Sequence, residues 1–473
     1  MRKTKIVCTL GPASSSEEVL RELVKSGMNV ARLNFSHGTY DGFRTLINRI
    51  KKIRREMGVP LAIMLDTKGP EIRLKNFKDG PCELKEGQKF VLTGREIDGD
   101  QTGVSVSVPN LAHSLKPGDT VLIDDGNVSL TVDRTEDLDV VCTVVHGGVV
   151  KDHKGVNVPN VRIDMPFISP ADRSDLIFGI REDIDLVAAS FVSRKEDVEE
   201  LRALLESNGG RNIRIISKIE NAAGVANFDE ILEASDGIMV ARGDMGVEIE
   251  FERIPGLQKT FIRKTCAAGK MSITATQMLE SMIENTTPTR AEITDVANAV
   301  FDGTSAIMLS GETAVGKHPA LVVRTMAGIA LQAEHDAGII FLRPQSGGRA
   351  AGDKPLLAIC DAAVTMANDL HAKVIVVFTQ SGFTARGLSS FRPSQPIIAS
   401  TPEVKTYHQL ALSWGVCPVL TYVQSYADAL FDEAVECAKK SGLAVPGDMA
   451  VVTGGIPVGV AGGTNLVKLQ LID

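Results

Sequence analysis

A chain of 473 residues has room for two or three domains and a large core. With 44% hydrophobic and 23% charged residues it has the composition of a globular protein, and a net charge of −8 argues against a general nucleic-acid or membrane surface. Seven cysteines, odd in number and without a C-x-x-C pair, read as reduced thiols in a cytoplasmic compartment.

The first residues, MRKTKIVCTLGPASSS, imitate a signal peptide only faintly. Gly11-Pro12 breaks the apolar stretch too early for an h-region, so a buried first strand is expected. No run of about 18 apolar residues follows, so no membrane span is expected. Strand-like segments begin at Lys5 (KIVCTLG), Met28 (MNVARLNF), Leu61 (LAIMLDTKG), Asp185 (DLVAASF), Ile213 (IRIISKIE), Gly237 (GIMVARGD), Met271 (MSITATQ) and Ala306 (AIMLSGE). Helical patterns such as SEEVLRELVKSG, SPADRSDLIFGIRE and TRAEITDVANAVFDG lie between them, several opening on Ser, Thr or Pro and closing near Gly. This alternation predicts an α/β fold, a (β/α)8 barrel made by residues 1–69 and 167–342.

Residues 70–166 break the rhythm. Short alternating segments, KFVLTG, TVLIDDGNVSLTV and DVVCTVVHGGVV, are joined by Asp-Gly and Gly-Gly turns that favour hairpins. They predict a small β-barrel domain inserted after the third strand. RPQSGGRAAGDKP then reads as a linker into a C-terminal αβ domain, residues 343–473, with strands KVIVVFT, QPIIAST, CPVLTY, MAVVTGG and NLVKLQLI. After KVIVVFT, the residues Thr379, Ser381, Gly382 and Thr384 enter a helix-like stretch. Hydroxyls, a glycine and free helix N–H groups could cradle a phosphate, and they equally suit a solvated, well-capped loop. TGGIPVGVAGGTN, from Thr453 to Asn465, is Gly-rich and could close over the same ligand.

In such a barrel the strand C-terminal ends form the reaction face. Here they carry Arg32, Asn34, Asp66, Lys68, Lys218, Glu220, Asp244, Thr276, Ser310 and Glu312. Glu220 and Asp244 are about one β-α repeat apart, which puts them on neighbouring strand ends. Two carboxylates there suit a hard divalent cation such as Mg²⁺. They also suit a surface pair at loop starts, or an ion pair with Lys218. A cation beside a lysine is what a transferring phosphoryl group needs for neutralisation. In GDMGVEIE, a helix starting near Gly243 could offer N–H groups to an anion, although a plain turn explains it equally. GETAVGKH nearly matches a P-loop, but His318 stands where the motif needs Ser or Thr. The RGD at Arg242 to Asp244 follows an apolar run, which implies burial rather than adhesion.

Nine stretches, ARLNFSHG (from Ala31), LDTKGPEIR (from Leu65), KGVNVP (from Lys154), SKIEN (from Ser217), MVARGDMGVEI (from Met239), TATQMLESM (from Thr274), PTRAE (from Pro288), DVANAVFDG (from Asp295) and MLSGETAVGKHP (from Met308), together resemble the pyruvate kinase family. They occur in the family's order along the chain. The resemblance implies phosphoryl transfer from phosphoenolpyruvate to ADP, giving pyruvate and ATP, the final step of glycolysis. It implies Glu220 and Asp244 as ligands of Mg²⁺ (or Mn²⁺), and Lys218 and Arg32 on the phosphoryl group. Thr276 and the amides of Gly243 and Asp244 would attend the substrate carboxylate. Asn34, Ser36, Asp66 and Thr67 match a K⁺ site, and Glu71 matches members that need K⁺. Pro12, Asn34, His37 and Arg73 match nucleotide-lining positions. The inserted domain would be a lid, Thr379 to Thr384 an effector loop for a phosphorylated small molecule, and the assembly a homotetramer.

Met271 stands where the family usually has Pro, Asn160 where it has Gly, and His318 where it has an aromatic; none is a reacting group. Two other readings remain at this point. A metal-dependent barrel aldolase or lyase would share the paired acids without needing Lys218 or a lid. A metabolite sensor would need no phosphoryl-transfer lysine.

Overall fold

The computed structural model describes residues 1–161, 163, 165–336, 354–423, 426–457 and 463–473. Most of the expected linker, and the centre of the Thr453 to Asn465 segment, lie outside them.

Eight parallel strands close into a barrel: β1 (Lys5–Thr9), β2 (Val30–Asn34), β3 (Ala62–Asp66), β4 (Leu186–Ala189), β5 (Arg214–Ile219), β6 (Gly237–Ala241), β7 (Met271–Ala275) and β8 (Ala306–Leu309). All eight coincide with expected strands. Their apolar runs are buried on both faces, as a barrel wrapped by helices requires. The helices end as their sequences dictate. Ser16 caps Glu17–Ser26 by accepting from the Val19 amide, and Gly27 follows. Thr289 and Glu292 form a capping box on Arg290–Phe301.

The insertion follows β3. Its main sheet has seven strands, with Ile72–Arg73 at one edge and Gly103–Ser105 at the other. One antiparallel bridge, Leu74 with Val106, joins these edges, and the Lys75 amide donates to the Ser105 carbonyl at 2.8 Å. The sheet therefore curls back on itself around Phe90, Leu92, Val121 and Leu130. Asn160 has φ +63°, a conformation that Asn tolerates better than most residues where a Gly would be free.

The C-terminal domain carries five strands in the order Val416–Leu420, Ile397–Thr401, Val374–Phe378, Met449–Gly455, Thr464–Leu471, the last antiparallel. It docks on the barrel end where strands begin. Gln409 donates to the carbonyls of Asp185 and Asn212, Arg392 to that of Gly303, and Lys5 to that of Val416. Ala411 and Leu412 enter the barrel's own interior cluster with Val7, Val30, Met64 and Met239. Met271, which opens β7, turns its sulfur to the Ser413 hydroxyl of this plug. The opposite end, where strands finish, is left to the inserted domain.

Leu412 is fully buried in that plug. Leu412→Ala is expected to cost about 2–5 kcal/mol. The single tryptophan, Trp414, lies two residues away and reports its environment in a denaturant titration followed by fluorescence. An unshifted midpoint would show that Leu412 does not hold the domains together.

Candidate active site

Arg32 on β2, Asp66 at the end of β3, and Lys218 on β5 converge at the strand C-terminal ends, with Ser190 just past β4 and Glu220 just past β5. Arg32 Nε donates to Asp66 Oδ2 at 2.6 Å, and its Nη1 to the Thr9 hydroxyl at 2.8 Å. Lys218 Nζ reaches Asp66 Oδ1 at 3.1 Å, Ser190 Oγ at 2.7 Å and Glu220 Oε1 at 2.9 Å. Glu220 Oε2 accepts from the Phe191 amide at 2.6 Å. All of these side chains are buried. Two cations and two carboxylates balance in formal charge, which makes their shared burial tolerable.

Burial alone would pull the Lys218 ammonium down, but Asp66 and Glu220 outweigh it and hold it above the usual lysine value. Burial likewise opposes ionisation of Asp66, yet Arg32 and Lys218 keep it below the usual carboxylate range. Glu220 goes the other way. Burial pushes its carboxyl up to about 7; Lys218 opposes this and the Asp244 charge adds to it.

Asp244 is not at a strand end. β6 stops at Ala241, and a short helix, Arg242–Glu248, carries Asp244 in its first turn. The sequence had left that helix open as an alternative to a plain turn. Asp244 is exposed toward a cleft of about 550 Å³ between barrel and insertion, lined among others by Glu71, Asp125, Asn157, Phe191 and Asn221. Asp125 in the insertion is raised by burial and then by Asp244 and Asp124. Asn157 Nδ2 bridges from the insertion to Glu248 Oε1 at 3.0 Å, tying it to the helix that bears Asp244. Among the described residues no three His, Cys, Asp or Glu form a metal cluster. Glu220 and Asp244 fit an ion that takes one or two carboxylates and completes its shell with substrate oxygens.

The Gly243 amide donates to Thr276 Oγ1 at 2.8 Å, so a substrate carboxylate taking this amide would displace that hydroxyl. Asn34 and Asp66 are cross-strand partners on β2 and β3. The Ser36 amide donates to Asn34 Oδ1 at 3.1 Å, and Thr67 Oγ1 accepts from the Ser190 amide at 3.1 Å. Four oxygen-bearing residues are thus gathered beside the charged network. Pro12 and His37 are exposed on the loops after β1 and β2. Arg73 is held by Glu71, at 2.6 Å, and by the His153 carbonyl, at 2.8 Å.

Ser190 escaped the sequence reading. It is the polar residue that ends the apolar run DLVAAS, the same signal that exposed Lys218, but its short hydroxyl gave no chemical cue. The structure makes it a hub: Ser190 Oγ also donates to the Thr67 carbonyl at 2.7 Å. GETAVGKH is no phosphate loop. It forms a short helix, Gly311–Ala314, with Glu312 buried and accepting from the Ser310 amide, while Lys317 pairs with Glu284 at the surface. Arg242 of the RGD triplet is nearly buried.

At the C-terminal domain, Gly382 has φ +77° and its amide donates to Thr379 Oγ1, which turns the chain into the helix Phe383–Ser390. Thr384 Oγ1 meets Thr464 Oγ1 at 2.7 Å, so this loop touches the end of the Gly-rich segment. None of the seven cysteines forms a disulfide, and six are buried.

A closed (β/α)8 barrel with a buried lysine-carboxylate network at its strand ends, a curled β insertion above and an αβ domain below describes one class of phosphotransferase. The profile described as "Pyruvate kinase, barrel domain" matches residues 1–323, and "Pyruvate kinase, alpha/beta domain" matches residues 357–470. The chain is 49% identical to a pyruvate kinase of Clostridium acetobutylicum, with all of both chains aligned. It is 48% identical to one of Geobacillus stearothermophilus, over all of this chain and 81% of that one. A crystal structure of a Cryptosporidium parvum pyruvate kinase superposes with a TM-score of 0.91 at 39% identity, covering 100% of this chain and 96% of the other. The chain belongs to the pyruvate kinase family.

The raised Glu220 carboxyl has a thermodynamic consequence. The folded protein holds that proton more tightly than the unfolded chain does, so stability is lost as pH rises from the ordinary 4.5 through about 7. In metal-chelating buffer, wild type should therefore lose melting temperature relative to Glu220→Gln between pH 5 and pH 8. A constant difference across that range would show that Glu220 is not raised.

Proposed function

We propose that this protein transfers the phosphoryl group of phosphoenolpyruvate to ADP, giving pyruvate and ATP. The observation that carries the reading is Lys218, buried near Arg32 at the strand ends with its Nζ within 3.1 Å of Asp66 and 2.9 Å of Glu220. A metal-dependent aldolase or lyase would share the paired acids without needing this lysine, and a sensor would need no phosphoryl-transfer lysine.

Lys218 Nζ and the Arg32 guanidinium face the phosphoryl oxygens and offset their charge as the P–O bond to the enol breaks and the bond to the ADP oxygen forms. The amides of Gly243 and Asp244 take the substrate carboxylate. Thr276 stands beside the methylene carbon, which must gain a proton when the enolate becomes pyruvate. Glu220 and Asp244 would hold Mg²⁺ or Mn²⁺, which when bound supplies further neutralisation of the phosphoryl charge. Asn34, Ser36, Asp66 and Thr67 would hold K⁺. Pro12, Asn34, His37 and Arg73 would line the nucleotide side of the cleft. The inserted domain closes over the reactants and excludes water, a competing phosphoryl acceptor.

The Thr379 to Thr384 loop is our candidate for a phosphorylated effector, and a cytoplasmic homotetramer is the assembly we infer from family membership. No helix among the described residues is long and apolar enough to cross a membrane.

Lys218→Met should lower kcat by about 10³-fold, as removal of a transition-state charge does. Metal binding, measured by Mn²⁺ titration, should persist, whereas Asp244→Asn should weaken it. Near-normal turnover by Lys218→Met in a coupled assay would remove the proposed role. The second expectation concerns the monovalent cation. Turnover should rise strongly with K⁺ and little with a bulky organic cation at equal ionic strength, and Glu71→Lys should relax the requirement. Equal activity in both salts would exclude the site.

A further inference from the structure

Thr276 and its neighbour Gln277 have φ of +70° and +54°. A β-branched residue rarely adopts this region, and each such residue costs about 1–3 kcal/mol unless its surroundings hold it there. One side chain, that of Arg242, bonds the carbonyls of this turn. Arg242 donates from Nη2 to the Thr276 carbonyl at 2.5 Å and to the Gln277 carbonyl at 3.3 Å, and from Nε to the Ala275 carbonyl at 3.3 Å. Nη2 also lies 2.9 Å from the Met278 sulfur. The other edge of the guanidinium is fixed by Asp295 on Arg290–Phe301, at 2.7 Å, with Gln258 at 3.4 Å. The Arg242 side chain is only 10% exposed.

Three consecutive carbonyls thus turn toward one planar fork, and Asp295 balances its charge. Only a guanidinium has donors enough and spread enough for this; an ammonium would reach fewer of the carbonyls. Arg242 also directly precedes Gly243, whose amide donates to the Thr276 hydroxyl at 2.8 Å. The turn after β7 is therefore gripped by main chain and side chain of the same two residues.

We propose that Arg242 is a positioning residue for the carboxylate and methylene end of the three-carbon substrate. It acts through Thr276 and the amides of Gly243 and Asp244, not on the phosphoryl group or the metal. The inference rests on the phosphoenolpyruvate reading above.

The test is steady-state kinetics of the full-length protein with phosphoenolpyruvate, ADP and Mg²⁺ varied in turn. Arg242→Lys should raise KM for phosphoenolpyruvate by about 10-fold or more, leaving KM for ADP and half-saturation by Mg²⁺ within about twofold. In a Thr276→Ala background the same change should raise KM for phosphoenolpyruvate much less, because the two residues act as one unit. Asp295→Asn keeps the arginine and loosens its anchor, so it should shift the same constant by a smaller factor. That variant decides the matter if Arg242→Lys does not fold. An unchanged KM for phosphoenolpyruvate in both variants, an equal rise in all three constants, or full additivity with Thr276→Ala overturns the positioning role. If wild type itself forms no ATP from phosphoenolpyruvate, the functional reading fails instead.

Discussion

Everything at the reaction end of this barrel is arranged around keeping one lysine ionised without water. Lys218 follows Ile215 and Ile216 on a strand that is buried beyond its first residue, and burial opposes its charge. Two carboxylates from different strands restore it, and a second cation, Arg32, keeps the first of them ionised in turn. Such a set is stable only when complete. Removal of Asp66 would leave Arg32 and Lys218 without their shared carboxylate in a low-dielectric site, which costs far more than a pair itself contributes. The barrel is suited to this. Its strands bring residues distant in sequence to within hydrogen-bond distance on a rigid frame.

The two ends of the barrel are used differently. Apolar residues of the C-terminal domain fill the end where strands begin, and backbone carbonyls there accept from Gln409, Arg392 and Lys405. At the far end the contacts to the insertion are fewer and polar, such as Asn157 with Glu248. Arg214, at the start of β5, donates to the Ser381 carbonyl at 3.3 Å and pairs with Asp236. The strand that carries Lys218 therefore starts against the loop that carries Gly382.

Much of this was legible in the chain. The barrel strands announced themselves because apolar runs of strand length alternate with helical patterns and stop on polar residues. Asp-Gly and Gly-Gly turns marked the insertion. What stayed hidden depends on the third dimension. Asp66 and Lys218 lie in separate segments, and nothing local says that one carboxylate serves both Arg32 and Lys218. Ser190 was invisible for a different reason, since serine ends strands for many purposes. Asp244 was placed at a strand end because GIMVA runs into it, but Gly243 allows the chain to begin a helix earlier. The bonding of Thr276 to Gly243 could not be read at all, because it follows from backbone angles that Thr does not favour.

The crossing from barrel to insertion occurs at Gly69, which has φ +74° and no room for a side chain: a Cβ there would lie 2.9 Å from both the Ser190 side chain and the Phe191 ring. Ser190 bonds Lys218, and the Phe191 amide bonds Glu220. Asp172 fixes the other side by accepting from the amides of Lys68 and Gly69. The crossing into the insertion and the wall of the charged pocket thus share the same few atoms. In engineering terms the insertion is not a detachable module. A chimaera that exchanges it with cuts at this glycine would alter the electrostatics of the pocket, whereas cuts made within the first and last strands of the insertion would leave the atoms around Gly69 in place.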